Sequence, residues 1–166
     1  MKTIKIAGII LFIFLTTLSC QNNKKDLLEV TIVDNNELEK ITYFPNLKFE
    51  EVTDSAQFLY NEEDYYRLMT SEIKVAPPIF QNGIITVRVF TRSAYVNNKY
   101  EHGFLVRTYS KDNKIKDEMV LASTIGGLRC EGKVTSDLKI IKSCTGGEEV
   151  VAQIESDGSI KKITYE

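Results

Sequence analysis

This 166-residue chain contains one histidine, His102, and three cysteines, Cys20, Cys130 and Cys144. So small a supply restricts its chemistry. A zinc site built on histidine needs more imidazoles or a larger thiolate set, and the cysteine spacings hold no Cys-x-x-Cys redox pair. A Gly-x-Ser-x-Gly elbow is also missing, which leaves Ser93, Ser110 and Ser123 as hydroxyls without a nucleophile's setting. Glu101 adjoins His102, but neighbours on an extended segment point to opposite faces, so adjacency does not make a dyad. His102 therefore reads as an exposed loop or strand-start residue. Gly126, Gly127, Gly132, Gly146 and Gly147 lack the strand-to-helix context of a phosphate loop and read as turns or bulges. The expectation is no catalytic set, no metal-ligating set and no cofactor.

Positive charge is not in excess either. With 21 basic and 23 acidic residues the formal charge is −2, which offers no stripe for a phosphate backbone, and nucleic acid is excluded as an expected partner. Long helical patterns are few. No apolar run reaches the roughly 20 residues needed for a helix to span a bilayer.

What is present begins with Lys2 and Lys5, followed by an apolar run over residues 6–15 and the small residue Ser19 just before Cys20. This is the layout of a removable targeting peptide: a basic start, an apolar centre and a small residue at the cleavage point. With cysteine at the junction, residues 1–20 resemble a bacterial lipoprotein signal peptide, departing from the usual pattern at Thr17, where such signals prefer leucine. The resemblance implies cleavage after residue 19, lipid on Cys20 and attachment to membrane lipid through it. Residues 20–26 then form a lipidated, polar tether, and residues 27–166 a single domain.

The domain reads as mainly β, an antiparallel meander forming an open sheet or a small sandwich or barrel, with one short helix. Residues 28–33 alternate as a strand, and residues 47–52 suggest another. Asn61 caps a short helical pattern through Met69, with Glu62, Glu63 and Asp64 in its first turn. That acidic run is better explained by the helix start than by a metal, because it lacks the oxygen-donor alternation of a calcium loop. Pro77-Pro78 marks a break, after which six or seven strands follow from Ile84 to Tyr165. A turn at Asp112-Asn113 sets Val106 opposite Met119, Phe104 opposite Leu121, and Arg107 opposite Glu118. A two-residue turn at Asp157-Gly158 sets Ala152 opposite Ile163 and Val150 opposite Tyr165.

Cys130 and Cys144 face each other if the turn at residues 135–137 pairs positions whose numbers sum to 274. Leu128, Val134, Leu138 and Ile140 then share their face. A simple turn at Gly146-Gly147 conflicts with this, because it sends Cys144 to the other side. A disulfide is the favoured reading for an exported domain, with two buried thiols or a reactive pair as the alternatives.

Residues 103–109, then Asp112-Asn113-Lys114-Ile115 and the final meander, are similar in rhythm to small uncharacterised lipoproteins of Bacteroidota. That resemblance implies the cell envelope, with the outer membrane preferred, and transfers no functional residue. The functional expectation is a noncatalytic envelope domain that binds a protein or another envelope component. Phe90, Arg92, Tyr95, Tyr100 and Tyr109 are the candidate binding face. The alternative is a small-ligand-binding module, and a structural protein or an enzyme ranks lower. A cavity lined by aromatics with convergent polar groups would favour the ligand reading over a flat face.

Overall fold

The structure, a computed structural model, describes residues 25–35, 38–52, 67, 69–96, 98–127 and 129–164. Residues 1–24 with Cys20, the acidic run 61–66, Leu128 and Tyr165 lie outside the described residues. Arg67, Met69 and Thr70 are helical.

The strands are β1 (Leu28–Asn35), β2 (Leu38–Phe44), β3 (Glu50–Glu51), β4 (Glu72–Val75), β5 (Phe80–Gln81), β6 (Ile85–Val96), β7 (Lys99–Ser110), β8 (Ile115–Ser123), β9 (Cys130–Val134), β10 (Lys139–Cys144), β11 (Val150–Ile154) and β12 (Ile160–Ile163). They make one open twelve-stranded antiparallel sheet, ordered β12-β11-β10-β9-β8-β7-β6-β4-β3, with β1 and β2 branching from β9 and β5 from β6. The branch shapes the molecule. Among the described residues β8 pairs with β9 at Ser123 and Cys130, while β9 continues along β1 through Gly132, Lys133 and Val134. The sheet thus splits into two arms that face each other across one core.

Val87, Val89, Val106 and Leu121 from one arm pack with Leu28, Val30, Val134, Ile140, Ala152 and Ile154 from the other. The alternation Ile85, Val87, Val89 supplies its side of this core, as period-2 patterning requires. Each fully buried aliphatic side chain contributes roughly 1.5–3 kcal/mol, before the entropy of ordering it. At one end the arms are also pinned by polar contacts. Thr108 Oγ1 donates to the Gly158 carbonyl, and the Ile160 N–H donates to Asp117 Oδ2 at 2.7 Å.

The reverse face of the β6–β7 arm carries a second cluster, Ile73, Phe90, Leu105 and Tyr109. Arg107 lies there, fully buried at 0% exposure. Its guanidinium meets Glu118 Oε2 at 2.8 Å and lies 5.4 Å from the Phe90 ring centroid, while Arg67 Nη1 reaches Glu118 Oε1 at 3.4 Å. The carboxylate and the aromatic face together accommodate a buried cation.

Three hairpins share one loop design. Ser110 and Lys114, Thr135 and Lys139, and Glu155 and Ser159 each close a three-residue loop through an N–H to carbonyl bond of 2.8–2.9 Å. The last loop residue is left-handed in each: Asn113 at φ 58°, Leu138 at 64° and Gly158 at 90°. This is a type I turn with a following left-handed residue, the usual three-residue hairpin. It explains both a success and a slip in register. The Thr135 loop gives the sum 274, so Cys130 pairs with Cys144. The Glu155 loop is one residue longer than a two-residue turn at Asp157-Gly158, so Val151, not Ala152, faces Ile163, and Val150 instead pairs with Lys142.

In the β7–β8 hairpin the expected pairs Val106–Met119 and Arg107–Glu118 form, but Phe104 faces Ala122 rather than Leu121. A bulge inserts Leu121, and both Leu121 and Ala122 are buried in the core. The conflict at Gly146-Gly147 is resolved by a longer connection: β10 and β11 pair up to Lys142 and Val150, which keeps Cys144 on the face of Cys130. The disulfide is formed, with Cα atoms 4.0 Å apart. Residues 47–52 contribute only the two-residue strand β3, whereas β2 and β4 are not apparent from the sequence.

Candidate functional site

β6 and β7 pair without a bulge from Ile85–Ser110 to Val96–Lys99. Alternate cross-strand pairs therefore share a face, and along the core-facing side they run Val87–Thr108, Val89–Val106, Thr91–Phe104, Ser93–His102 and Tyr95–Tyr100. The first pairs are buried between the arms. From Thr91 outward the face turns polar and opens.

There a concavity of about 470 Å³ forms, lined by Ile41, Tyr43 and Phe49 on one side and by Lys74, Thr91, Arg92, Ser93, His102, Gly103 and Phe104 on the other. This volume lies within the roughly 300–1,000 Å³ range of small-ligand sites. Its apolar wall is an aromatic cluster, with Tyr43 to Phe49, Tyr43 to Phe104 and Phe49 to Phe104 centroids 5.4, 5.6 and 5.9 Å apart. Edge-on and tilted contacts of this kind fix ring orientations.

The polar side is also held in place. Ser93 Oγ and His102 Nδ1 are hydrogen-bonded at 2.9 Å, and the backbone N–H of His102 donates to Thr124 Oγ1 at 2.9 Å. His102 is half-buried inside β7, not at a strand start or in a loop. Lys74 Nζ lies 2.6 Å from Glu72 Oε1, and that carboxylate, through its hydrogen bond and charge, raises the ammonium's pKa above the usual lysine range. Lys74 therefore stays charged, within an ion pair. The Arg92 Nε–H donates to Ser71 Oγ at 2.8 Å.

The serine–histidine distance suits a nucleophile and its base, but that pairing also needs a third group to orient the imidazole. Glu101 does not supply it. Its carboxylate turns to the other side, where Oε2 accepts from the Gly126 N–H at 2.9 Å. Ser93 lies mid-strand in a flat pairing with no sharp turn to expose its Oγ. Among the described residues no group of three or more histidine, cysteine, aspartate or glutamate side chains is placed to hold a metal.

A second concavity, about 190 Å³, lies on the reverse face among Ile73, Phe90, Leu105, Val120 and Ile125, with Arg67 and Arg92 at its edge. Gly103, Thr91 and Phe104 line both concavities. The second is smaller and more apolar than the first, below the ordinary range for a ligand site.

The candidate binding face divides between these two sides. Phe90 and Tyr109 are buried in the reverse-face cluster and Arg92 is half-buried. Tyr95 and Tyr100 lie on the other side, 62% and 70% exposed, with ring centroids 4.9 Å apart. Sequence reasoning singles out Ser93 and His102 only as potential reactants, and does not single out Tyr43, Phe49, Lys74, Thr91 or Phe104 for the site. The available signal is parity: Ile85, Val87 and Val89 are apolar, and Thr91 and Ser93 continue the same face as hydroxyls. No family model, no curated protein and no solved structure matches this chain.

Proposed function

We propose that the chain is a noncatalytic binding domain of the bacterial envelope, anchored to membrane lipid through Cys20, that takes a small ligand into the concavity between Tyr43, Phe49 and Phe104 and the Ser93–His102 pair. The observation that carries this reading is convergence on one ligand-sized opening. Three aromatic rings provide apolar contact there, and Thr91, Ser93, His102 and Lys74 bring hydrogen-bonding groups to the same space. The arms beneath it are fixed by a packed core, so the polar groups are held before a ligand arrives, which lowers the ordering cost of binding. Tethered at residue 20 by a few polar residues, such a domain would act close to a membrane surface. An envelope protein as partner is the second reading, supported by the exposed Tyr95–Tyr100 pair.

Native mass spectrometry of the mature chain, gently extracted from envelopes, tests the binding reading. The wild type should carry a copurifying small molecule, and Thr91→Trp, which places an indole in the opening, should release it. A folded wild type that repeatedly carries nothing, or a Thr91→Trp variant with the same adduct, would overturn it. The anchor has a separate test. Intact mass should show lipid on Cys20 of a chain lacking residues 1–19, and Cys20→Ser should leave a chain without that mass in the soluble fraction. A soluble wild type with an unmodified thiol would refute the anchor.

A further inference from the structure

We propose that the ligand is a neutral oligosaccharide of at least two rings, one seated over Thr91, Ser93 and His102 and the next stacked on the Tyr95–Tyr100 pair. This inference rests on the binding reading above and names its ligand class. Three observations carry it.

The first is alignment. Because β6 and β7 keep one register to Val96–Lys99, Tyr95 and Tyr100 follow Ser93 and His102 on the same face, roughly 7 Å farther along the strands. The open cavity and the aromatic pair are thus consecutive positions on one track. The second is exposure. Two tyrosines in mutual contact remain 62% and 70% accessible at the hairpin end. A tyrosine ring presents a wide apolar face with negative charge density, and the C–H face of a sugar ring presents weakly positive hydrogens to it.

The third is charge and hydrogen-bond character. Two cations border the opening: Lys74, matched by Glu72 at 2.6 Å, and Arg92, whose Nε–H is turned to Ser71 Oγ at 2.8 Å. An anionic ligand would compete with the Glu72 carboxylate for Lys74. Ser93 Oγ and His102 Nδ1 can each donate or accept, depending on the tautomer. Thr91 adds another hydroxyl. Groups of mixed donor and acceptor character match vicinal hydroxyls, which also do both. The Ser93–His102 hydrogen bond uses only part of their capacity, and a purely apolar ligand would take water from the remainder without replacing it.

Isothermal titration calorimetry of the mature chain tests the assignment, using mono- and tetrasaccharides of glucose, mannose, galactose and N-acetylglucosamine in α and β linkages. At least one tetrasaccharide should bind with a Kd of about 1 mM or tighter. Tyr95→Leu and Tyr100→Leu, which keep apolar bulk but remove the ring face, should each weaken it about fivefold to tenfold. Ser93→Ala should weaken the tetrasaccharide and its monosaccharide alike, whereas the tyrosine variants should leave the monosaccharide unchanged. Circular dichroism melting of each variant confirms that it is folded; should either leucine variant fail to fold, the difference in iodide quenching of tyrosine emission between wild type and Tyr95→Phe isolates Tyr95, which the tetrasaccharide should protect, and an unprotected Tyr95 would overturn the proposal.

Absence of saturable binding by every saccharide would overturn the proposal. So would tetrasaccharide binding unchanged in both tyrosine variants, or a proline-rich peptide that occupies the tyrosines while the sugars do not. If native mass spectrometry finds an acid or a lipid that Thr91→Trp expels, the binding reading stands and the saccharide assignment falls.

Discussion

At the scale of single residues, the fold depends on positions where one atom more or less decides the outcome. Gly132 sits where β9 passes under the Leu121 bulge. A Cβ there would lie 2.5 Å from the Leu121 carbonyl oxygen and 2.8 Å from that of Ile141. Both obstacles are backbone, so neither can swing aside. Gly132→Ala should therefore destabilise the chain by about 1–3 kcal/mol in urea unfolding. A Cβ at Gly83 would meet open space, with nothing beyond its chain neighbours within 4 Å, and Gly83→Ala should stay within about 0.5 kcal/mol of wild type. Equal losses for the two would refute the close-approach explanation. Arg107 is the other such position. Glu118→Ala removes the carboxylate that meets both Arg107 and Arg67 and should cost about 1–3 kcal/mol, whereas the paired change Arg107→Met with Glu118→Leu should lose less. Denaturant midpoints of the single and double variants check this directly.

At the scale of elements, turn chemistry sets the registers. The Thr135 loop aligns Cys130 with Cys144, and the bond closes a sequence separation of 14 residues, for which chain entropy gives roughly 3 kcal/mol. Cys130→Ala with Cys144→Ala should lower stability by about that amount without altering the far-UV spectrum. The same loops carry a pH dependence. The Thr135 hydroxyl holds the Asp137 carboxyl below its usual range, and the Ser159 N–H, followed by the Ser159 hydroxyl, does so for Asp157. A carboxylate with a depressed folded-state pKa contributes stability above its unfolded pKa and loses that contribution as pH falls through the folded value. The contribution of these two carboxylates should therefore be complete above about pH 5 and be lost below about pH 4, as a fall in melting temperature. Asp137→Asn with Asp157→Asn should make that acid fall shallower, and an unchanged slope would contradict the assignment.

These elements also show how far the sequence is legible. Val106 against Met119 and Arg107 against Glu118 follow from alternation and charge, because a one-residue slip would break both. The Leu121 bulge is not legible, since both Leu121 and Ala122 suit a buried position and nothing local says which is the extra residue. Ala152–Ile163 is displaced by one because an Asp-Gly dipeptide fits a two-residue loop and a three-residue loop alike. The site is less legible than the strands. Tyr43 and Phe49 reach it only because β1 and β2 branch from β9, a long-range arrangement that periodicity cannot encode.

At the scale of the whole molecule, the two arms are joined at the Ser123–Cys130 corner and pinned through Thr108, Asp117, Gly158 and Ile160. Toward the other end of β6 and β7 the core gives way to polar side chains, and the arms part around the concavity. The central claim is that this opening, rather than the reverse face or a sheet edge, receives the ligand. The most direct measurement is a two-dimensional amide NMR titration of the labelled chain with the small-molecule fraction of a cell extract. The account predicts concerted shifts at Ile41, Tyr43, Phe49, Lys74, Ser93 and His102, which line this opening and not the reverse-face one, with Ile73, Leu105, Val120 and Gly158 unmoved. Shifts confined to the Phe90–Arg107 face or to β12, with the residues of the opening unmoved, would contradict it.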